Sequence, residues 1–165
     1  MLINNASVFS AEALETCGTE EVFRHCRINA LSPFFLSRAF AGQVRQMEGA
    51  GGCIVNMLDT RIHDHDPRHY PYHLSKRMAY TMTRDMARQF APHVRVNAIA
   101  PGLVTTPDSE SREYYARLAG RRPLRRCATP GDILAALSYL IAAPCVTGQV
   151  IYVDSGAHLQ HPVDA

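Results

Sequence analysis

Four short apolar runs constrain this chain more than anything else in it: MLIN at Met1–Asn4, CIVNML at Cys53–Leu58, VRVNAIA at Val94–Ala100 and QVIYV at Gln149–Val153. CIVNML and VRVNAIA do not alternate apolar with polar residues, so both faces of such strands must be covered, as in a parallel sheet with helices on either side. The intervals between runs have room for crossover helices and carry helical spacing. From Glu20 to about Met47, apolar residues fall at Val22, Phe23, Cys26, Leu31, Phe34, Phe35, Ala39, Phe40, Val44 and Met47, with Pro33 expected to bend or interrupt the helix. A second helix is predicted from about Tyr72 to Phe90, with Leu74, Met78, Ala79, Met82, Met86 and Phe90 on one side and Pro92 beyond its end. A short helix precedes Arg126, and another opens where Thr129 and Asp132 flank Pro130 and runs through Leu140. Strands alternating with helices over 165 residues predict one α/β domain covering 1–165, a parallel sheet with flanking helices.

Composition narrows the function classes. The chain is 47% apolar and 19% charged with a net charge of +2, an ordinary globular balance. The densest basic run, Arg121, Arg122, Arg125 and Arg126, reads as a solvated loop, so no nucleic-acid partner is expected. The five cysteines are odd in number and form no CxxC, which suggests neither a disulfide framework nor a structural zinc site. Reduced thiols, no membrane-length apolar run and no basic leader at Met1 together predict a cytoplasmic protein without a membrane partner.

The chemistry concentrates in NMLDTRIHDHDPRHYPYHLSK, Asn56–Lys76. Tyr72 and Lys76 are four apart and share one face of a helix. A cation near a phenol favours the phenolate, which would bring Tyr72 toward neutral pH for proton exchange. Such a pair is also common as a surface contact, but this one opens a helix after a buried strand and a polar loop. Asn5, Asp59, Tyr72 and Pro101-Gly102 all fall at or just after the carboxyl ends of predicted strands, where parallel α/β sheets bind ligands.

Taken in order, NNAS at Asn4–Ser7, Asn29, IVNMLD at Ile54–Asp59, YHLSK at Tyr72–Lys76, VRVNAIAPG at Val94–Gly102, PLRRCATPGDI at Pro123–Ile133 and VTGQVIYVDSG at Val146–Gly156 resemble the short-chain dehydrogenase/reductase family. The resemblance implies a Rossmann-like fold and an NAD(P)-dependent enzyme. It implies Tyr72 as proton donor and Lys76 as the residue that holds the nicotinamide ribose and lowers the Tyr72 pKa. Asn29 would support a water leading to Lys76. Asn5, Ala6 and Ser7, with the loop Pro101, Gly102, Leu103, Val104 and Thr106, would contact the cofactor.

Most of that family carries Ser thirteen residues before the Tyr; this chain carries Asp59. A carboxylate can move a proton and can anchor an N–C–NH2 edge, which a hydroxyl does less well. Asp59 with NNAS resembles the pteridine reductase branch, of dihydromonapterin or dihydrofolate reductase type. There an Asp–Tyr pair supplies protons to a pterin ring, and an aromatic, here Phe9, stacks on it. The implied function is NADPH-dependent reduction of a pterin or folate with Asp59, Tyr72, Lys76 and Asn29 catalytic and Phe9, Asp59 and Tyr72 holding substrate. A carbonyl or alcohol dehydrogenase of another substrate class, with NAD in place of NADP, is the alternative; an inactive, self-associating remnant is another.

His63, His65, His69 and His73, with Asp64 and Asp66 between them, read as a polar, mobile substrate-side loop and not as a metal site, because their spacing matches no standard zinc pattern. By resemblance the two long helices pack against symmetry mates in a homo-oligomer, dimer or tetramer. The family's opening strands and Gly-rich phosphate turn have no counterpart in this sequence, since GAGG at Gly49–Gly52 precedes a strand and not a helix. The fold expected is therefore N-terminally incomplete, about strands 4 to 7 of the family. A late start site, a shortened product or a self-associating fragment would each account for it.

Overall fold

The computed structural model describes residues 1–49, 51–64, 66–104 and 112–160, with the backbone alone at 112 and 114. Its strands are β1 (Leu2–Asn4), β2 (Gly52–Met57), β3 (Val94–Pro101) and β4 (Val150–Val153). They form one parallel sheet in the order β1-β2-β3-β4, with Ile3 opposite Val55, Val55 opposite Asn97 and Ala100 opposite Tyr152. All four predicted runs are strands, with ends shifted by a residue at most. Among the described residues β1 is an edge strand.

The continuous apolar runs are explained by burial on both sides. Ile54, Val94 and Val96 face α2 (Ser32–Gln46) and α3 (Tyr70–Phe90), where they meet Ala41, Val44, Met86 and Phe90. Cys53, Val55 and Ile99 face α5 (Pro130–Ala142) and pack on Leu140. Each fully buried aliphatic side chain of this kind is worth about 1.5–3 kcal/mol in transfer free energy. The start of α5 is secured by a capping box: Thr129 Oγ1 accepts from the Asp132 N–H, and Asp132 Oδ2 accepts from the Thr129 N–H at 2.7 Å. The short helix α4 covers Arg112–Gly120.

The predicted interruption at Pro33 takes a specific form. α1 (Thr19–Cys26) runs without a break into a π-helical turn, Arg27–Leu31, and then into α2. Proline has no N–H to donate to a carbonyl four residues back. The helix widens just before it, and the Ser32 N–H reaches five residues back to the Arg27 carbonyl. Such π turns are frequent at functional sites, and this one carries Asn29. α3 begins at Tyr70, two residues before the position expected, with Pro71 in its first turn, where a missing N–H costs nothing.

Candidate active site

Every strand is parallel, so the carboxyl ends of β1, β2 and β3 open on one rim. Three loops leave there: Asn5–Gly18, Leu58–His69 and the segment after Pro101. The rim's foundation is polar and buried. Asn4 Nδ2 donates to Asn56 Oδ1 at 2.7 Å and to Ser37 Oγ at 3.0 Å, and Asn56 Nδ2 donates to Thr83 Oγ1 at 2.8 Å. These bonds tie β1, β2, α2 and α3 together immediately beneath the loops.

Asn29 clamps the first loop. Its Oδ1 accepts from the Val8 N–H at 2.8 Å and from Ser7 Oγ at 3.1 Å; its Nδ2 donates to the Val8 carbonyl at 2.9 Å and to Ser75 Oγ at 3.0 Å. Ser75 Oγ donates in turn to the Tyr72 carbonyl at 2.6 Å. One amide thus fixes the loop that carries Phe9 against the helix that carries Tyr72. Ser10 and the buried His25 add a second tie, Oγ to Nε2 at 3.3 Å.

Tyr72, 8% exposed, donates its hydroxyl proton to Asp59 Oδ2 at 3.0 Å. The other oxygen of Asp59 accepts from the Arg61 N–H at 2.7 Å. Lys76, 3% exposed, donates from Nζ to the Met57 carbonyl at 2.8 Å, and Nζ stands 5.6 Å from the centre of the Tyr72 ring. Phe9 meets the Tyr72 ring edge-on with centroids 4.8 Å apart. The structure therefore gathers Phe9, Asn29, Asp59, Tyr72 and Lys76 on one rim.

The electrostatics correct one expectation. The Lys76 cation does not bring Tyr72 toward neutral pH. Burial and the facing Asp59 carboxylate push the phenol far above its ordinary value, and Lys76 lies over the ring instead of beside the oxygen. Burial pushes Lys76 itself down to about 8, against an upward pull from Asp59. The spacing of Tyr72 and Lys76 is legible in sequence; the depth at which they lie is not.

The remaining predicted contacts line the same rim. Asn5, Ala6 and Ser7 are exposed at the end of β1, and Pro101, Gly102, Leu103 and Val104 are partly buried at the end of β3. Gly102 is required by packing: a Cβ there would stand 2.7 Å from the Cβ of Asp154. The Gly102 N–H donates to the Val153 carbonyl at 3.0 Å, which ties this segment to β4. Thr106 and His65 lie outside the described residues.

Among the described residues, the histidine-rich loop is tied together through Asp66. Asp66, 6% exposed, accepts from Arg61 Nη1 at 2.8 Å, His69 Nδ1 at 3.1 Å and the Arg68 N–H at 2.9 Å, and His73 Nε2 approaches to 3.6 Å. Those donors hold its carboxyl below the usual range despite burial. Sequence reasoning missed Asp66, Ser75 and the Met57 carbonyl. Only the pairing of Asp66 with His69, three residues on, had a signal in the sequence.

Known proteins share the fold. The family described as enoyl-(acyl carrier protein) reductase matches residues 1–158. Dihydromonapterin reductase of Citrobacter koseri is 29% identical over 159 residues, 96% of this chain and 66% of that protein. This chain therefore spans just under two thirds of the length of that relative. The crystal structure of FolM alternative dihydrofolate reductase 1 from Brucella suis in complex with NADP is 30% identical, with a TM-score of 0.90 over 99% of this chain and 67% of that one. A 4-hydroxyisoleucine dehydrogenase complexed with NADH is 26% identical, with a TM-score of 0.86 over 97% of this chain and 70% of that one. No helix among the described residues is long and apolar enough to cross a membrane.

Proposed function

Since the chain belongs to the short-chain dehydrogenase/reductase family, we propose that it forms the catalytic part of an NADPH-dependent reductase acting on a dihydropterin or dihydrofolate. The observation that carries this reading is the 3.0 Å hydrogen bond between Tyr72 and Asp59 beside the exposed ring of Phe9. Similarity to a dihydromonapterin reductase and to an alternative dihydrofolate reductase supports it.

The residues present fit a nicotinamide nucleotide. An ammonium has three N–H donors, and the Met57 carbonyl takes one of those on Lys76. A buried cation with donors to spare suits the hydroxyls of a ribose. Lys76 would hold that sugar, with Asn5–Ser7 on one side and Pro101–Val104 on the other. The bound cofactor would supply the hydride.

The chain's own groups manage the proton. The Asp59 carboxylate accepts from an amidine-like edge, N–H to oxygen, and so orients a flat heterocycle. Phe9 offers a ring face to that heterocycle. Tyr72 stays protonated in the resting site because burial and Asp59 both oppose phenolate. It gives up the proton only to a strong base, and a ring nitrogen becomes one as the neighbouring carbon gains hydride. The Lys76 cation over the ring then stabilises the phenolate left behind. Coupling release of the proton to arrival of hydride limits premature protonation.

The test is an assay of NADPH oxidation with dihydromonapterin, dihydrobiopterin and dihydrofolate, using this chain joined to the upstream segment that its relatives carry. Turnover of at least one is expected. Turnover of a simple ketone with none of the three would assign the site to the carbonyl-reducing branch. NADPH titration of the 165-residue chain separately tests whether it holds cofactor unaided.

A further inference from the structure

One face of Phe9 is already occupied. Its ring stacks on the imidazole of His69, with centroids 4.5 Å apart and planes inclined by 17°. Phe9 remains 64% exposed. His69 is fixed from behind, since its Nδ1 meets the buried carboxylate of Asp66, itself gripped by Arg61 and the Arg68 N–H. The backbones are joined as well: Glu12 pairs with His69, and the Tyr70 N–H donates to the Glu12 carbonyl at 2.9 Å. A phenyl ring on a surface loop is ordinarily free to turn, and holding one still needs contacts on more than one side. Here Tyr72, its ring at 90° to the phenyl plane, and His69, its ring nearly parallel to it, both contact the phenyl.

We propose that Asp66 and His69 are positioning residues: Asp66 holds the His69 ring flat against one face of Phe9, so that Phe9 stands as a fixed plate whose exposed face takes the heterocycle. This rests on the pterin-reductase reading of the site. It assigns the histidine loop a part in substrate affinity without contact with the reacting atoms. A ring already oriented loses less freedom on binding, so the effect falls on substrate affinity and not on the chemical step.

Steady-state kinetics separate the two. His69→Ala is expected to raise KM for the dihydropterin about three- to tenfold, the range of one aromatic pair, with kcat and the KM for NADPH little changed. His69→Phe, which restores a stacking ring without the Asp66 bond, is expected to recover most of that loss, and Asp66→Asn to fall between. An unchanged dihydropterin KM in His69→Ala, or no recovery in His69→Phe, would overturn the proposal. A proton NMR comparison of this chain with its Phe9→Ala variant needs no turnover. The His69 ring protons, shielded by the facing phenyl, are expected to move downfield when it is removed. Unmoved His69 signals would refute the stack itself, whereas failure of every pterin assay with a shifted His69 would refute only the substrate reading.

Discussion

The two ends of the sheet are held together by different forces. At the amino end, Ile54, Val94 and Val96 pack on Val44, Met86 and Phe90, and the fit is one of volume. At the carboxyl end, Asn4, Asn29, Asn56, Ser75 and Lys76 are equally buried but are held by directed bonds. Apolar packing tolerates small changes of shape, whereas a buried polar group that loses its partner bears its full desolvation cost. The rim therefore fixes side chains to within a hydrogen-bond length, which is what a proton-transfer site requires. The amino end supplies stability that does not depend on such accuracy.

The hardest test of the contrast is at the rim's centre. Tyr72→Phe removes one oxygen and leaves the packing intact. Pterin reduction is expected to fall by about 10²–10⁴ in kcat, the usual contribution of a positioned acid, with thermal stability nearly unchanged. Asp59→Asn, which keeps the shape but cannot share the proton, is expected to cost less, about 10²-fold. Loss of stability parallel to loss of rate would show that the pair is structural.

Neighbouring positions of β2 compare the two ends within one strand. Ile54→Val shaves one carbon from the apolar face and is expected to cost about 0.5–1.5 kcal/mol in urea denaturation. Asn56→Leu keeps the branched shape but withdraws partners from Asn4 and Thr83, at about 1–3 kcal/mol. The reverse order would mean that the rim is held by packing after all.

These features differ in how far the sequence exposed them. Strands and helices follow from period and composition, because CIVNML has to be covered on both faces whatever covers it. Asp59, Tyr72 and Lys76 were legible through spacing and family resemblance. The ties around them were not. Asn29 reaches Val8 and Ser75 across long stretches of chain, and nothing local marks an asparagine as a clamp. The histidine loop reads as solvated because its residues are polar, yet Asp66 is buried among its donors. The Tyr72 pKa went the other way from expectation because desolvation, a property of depth, outweighs a cation lying over the ring.

Lys76 gives a sharper version of the contrast, because packing and function titrate in opposite directions there. With its pKa depressed to about 8 in the folded chain and near 10.4 when unfolded, the folded chain binds fewer protons between those values. Stability should therefore rise with pH across that window. Cofactor affinity should fall over the same window, by up to about tenfold per pH unit, as the ammonium is lost. Lys76→Met should abolish both slopes. If stability and cofactor affinity moved in the same direction in the wild-type protein, Lys76 would not be the group responsible.

The smallest effect on stability is expected on a surface that belongs to neither end. On α2, Phe35 and Leu36 are 50% and 55% exposed, and the Arg38 guanidinium lies 5.0 Å from the Phe35 ring centre. Beside them Phe34, Arg38, Asp85, Met86 and Phe90 line a groove of about 530 Å³ between α2 and α3. Apolar side chains left in water contribute little to the fold of the chain that carries them, so Phe35→Asp should change monomer stability by about 0.5 kcal/mol or less. A symmetric association through this face, as the family resemblance implies, would react very differently. A twofold contact meets each substitution twice, so two carboxylates would be brought into one apolar interface. Sedimentation velocity is expected to show the wild-type protein as a dimer or larger and Phe35→Asp as a smaller species with an unchanged circular dichroism spectrum. Equal sedimentation of the two would remove this face from any interface. It would also leave Phe35 and Leu36 as ordinary surface residues, with Phe35 resting on Phe34 and Arg38.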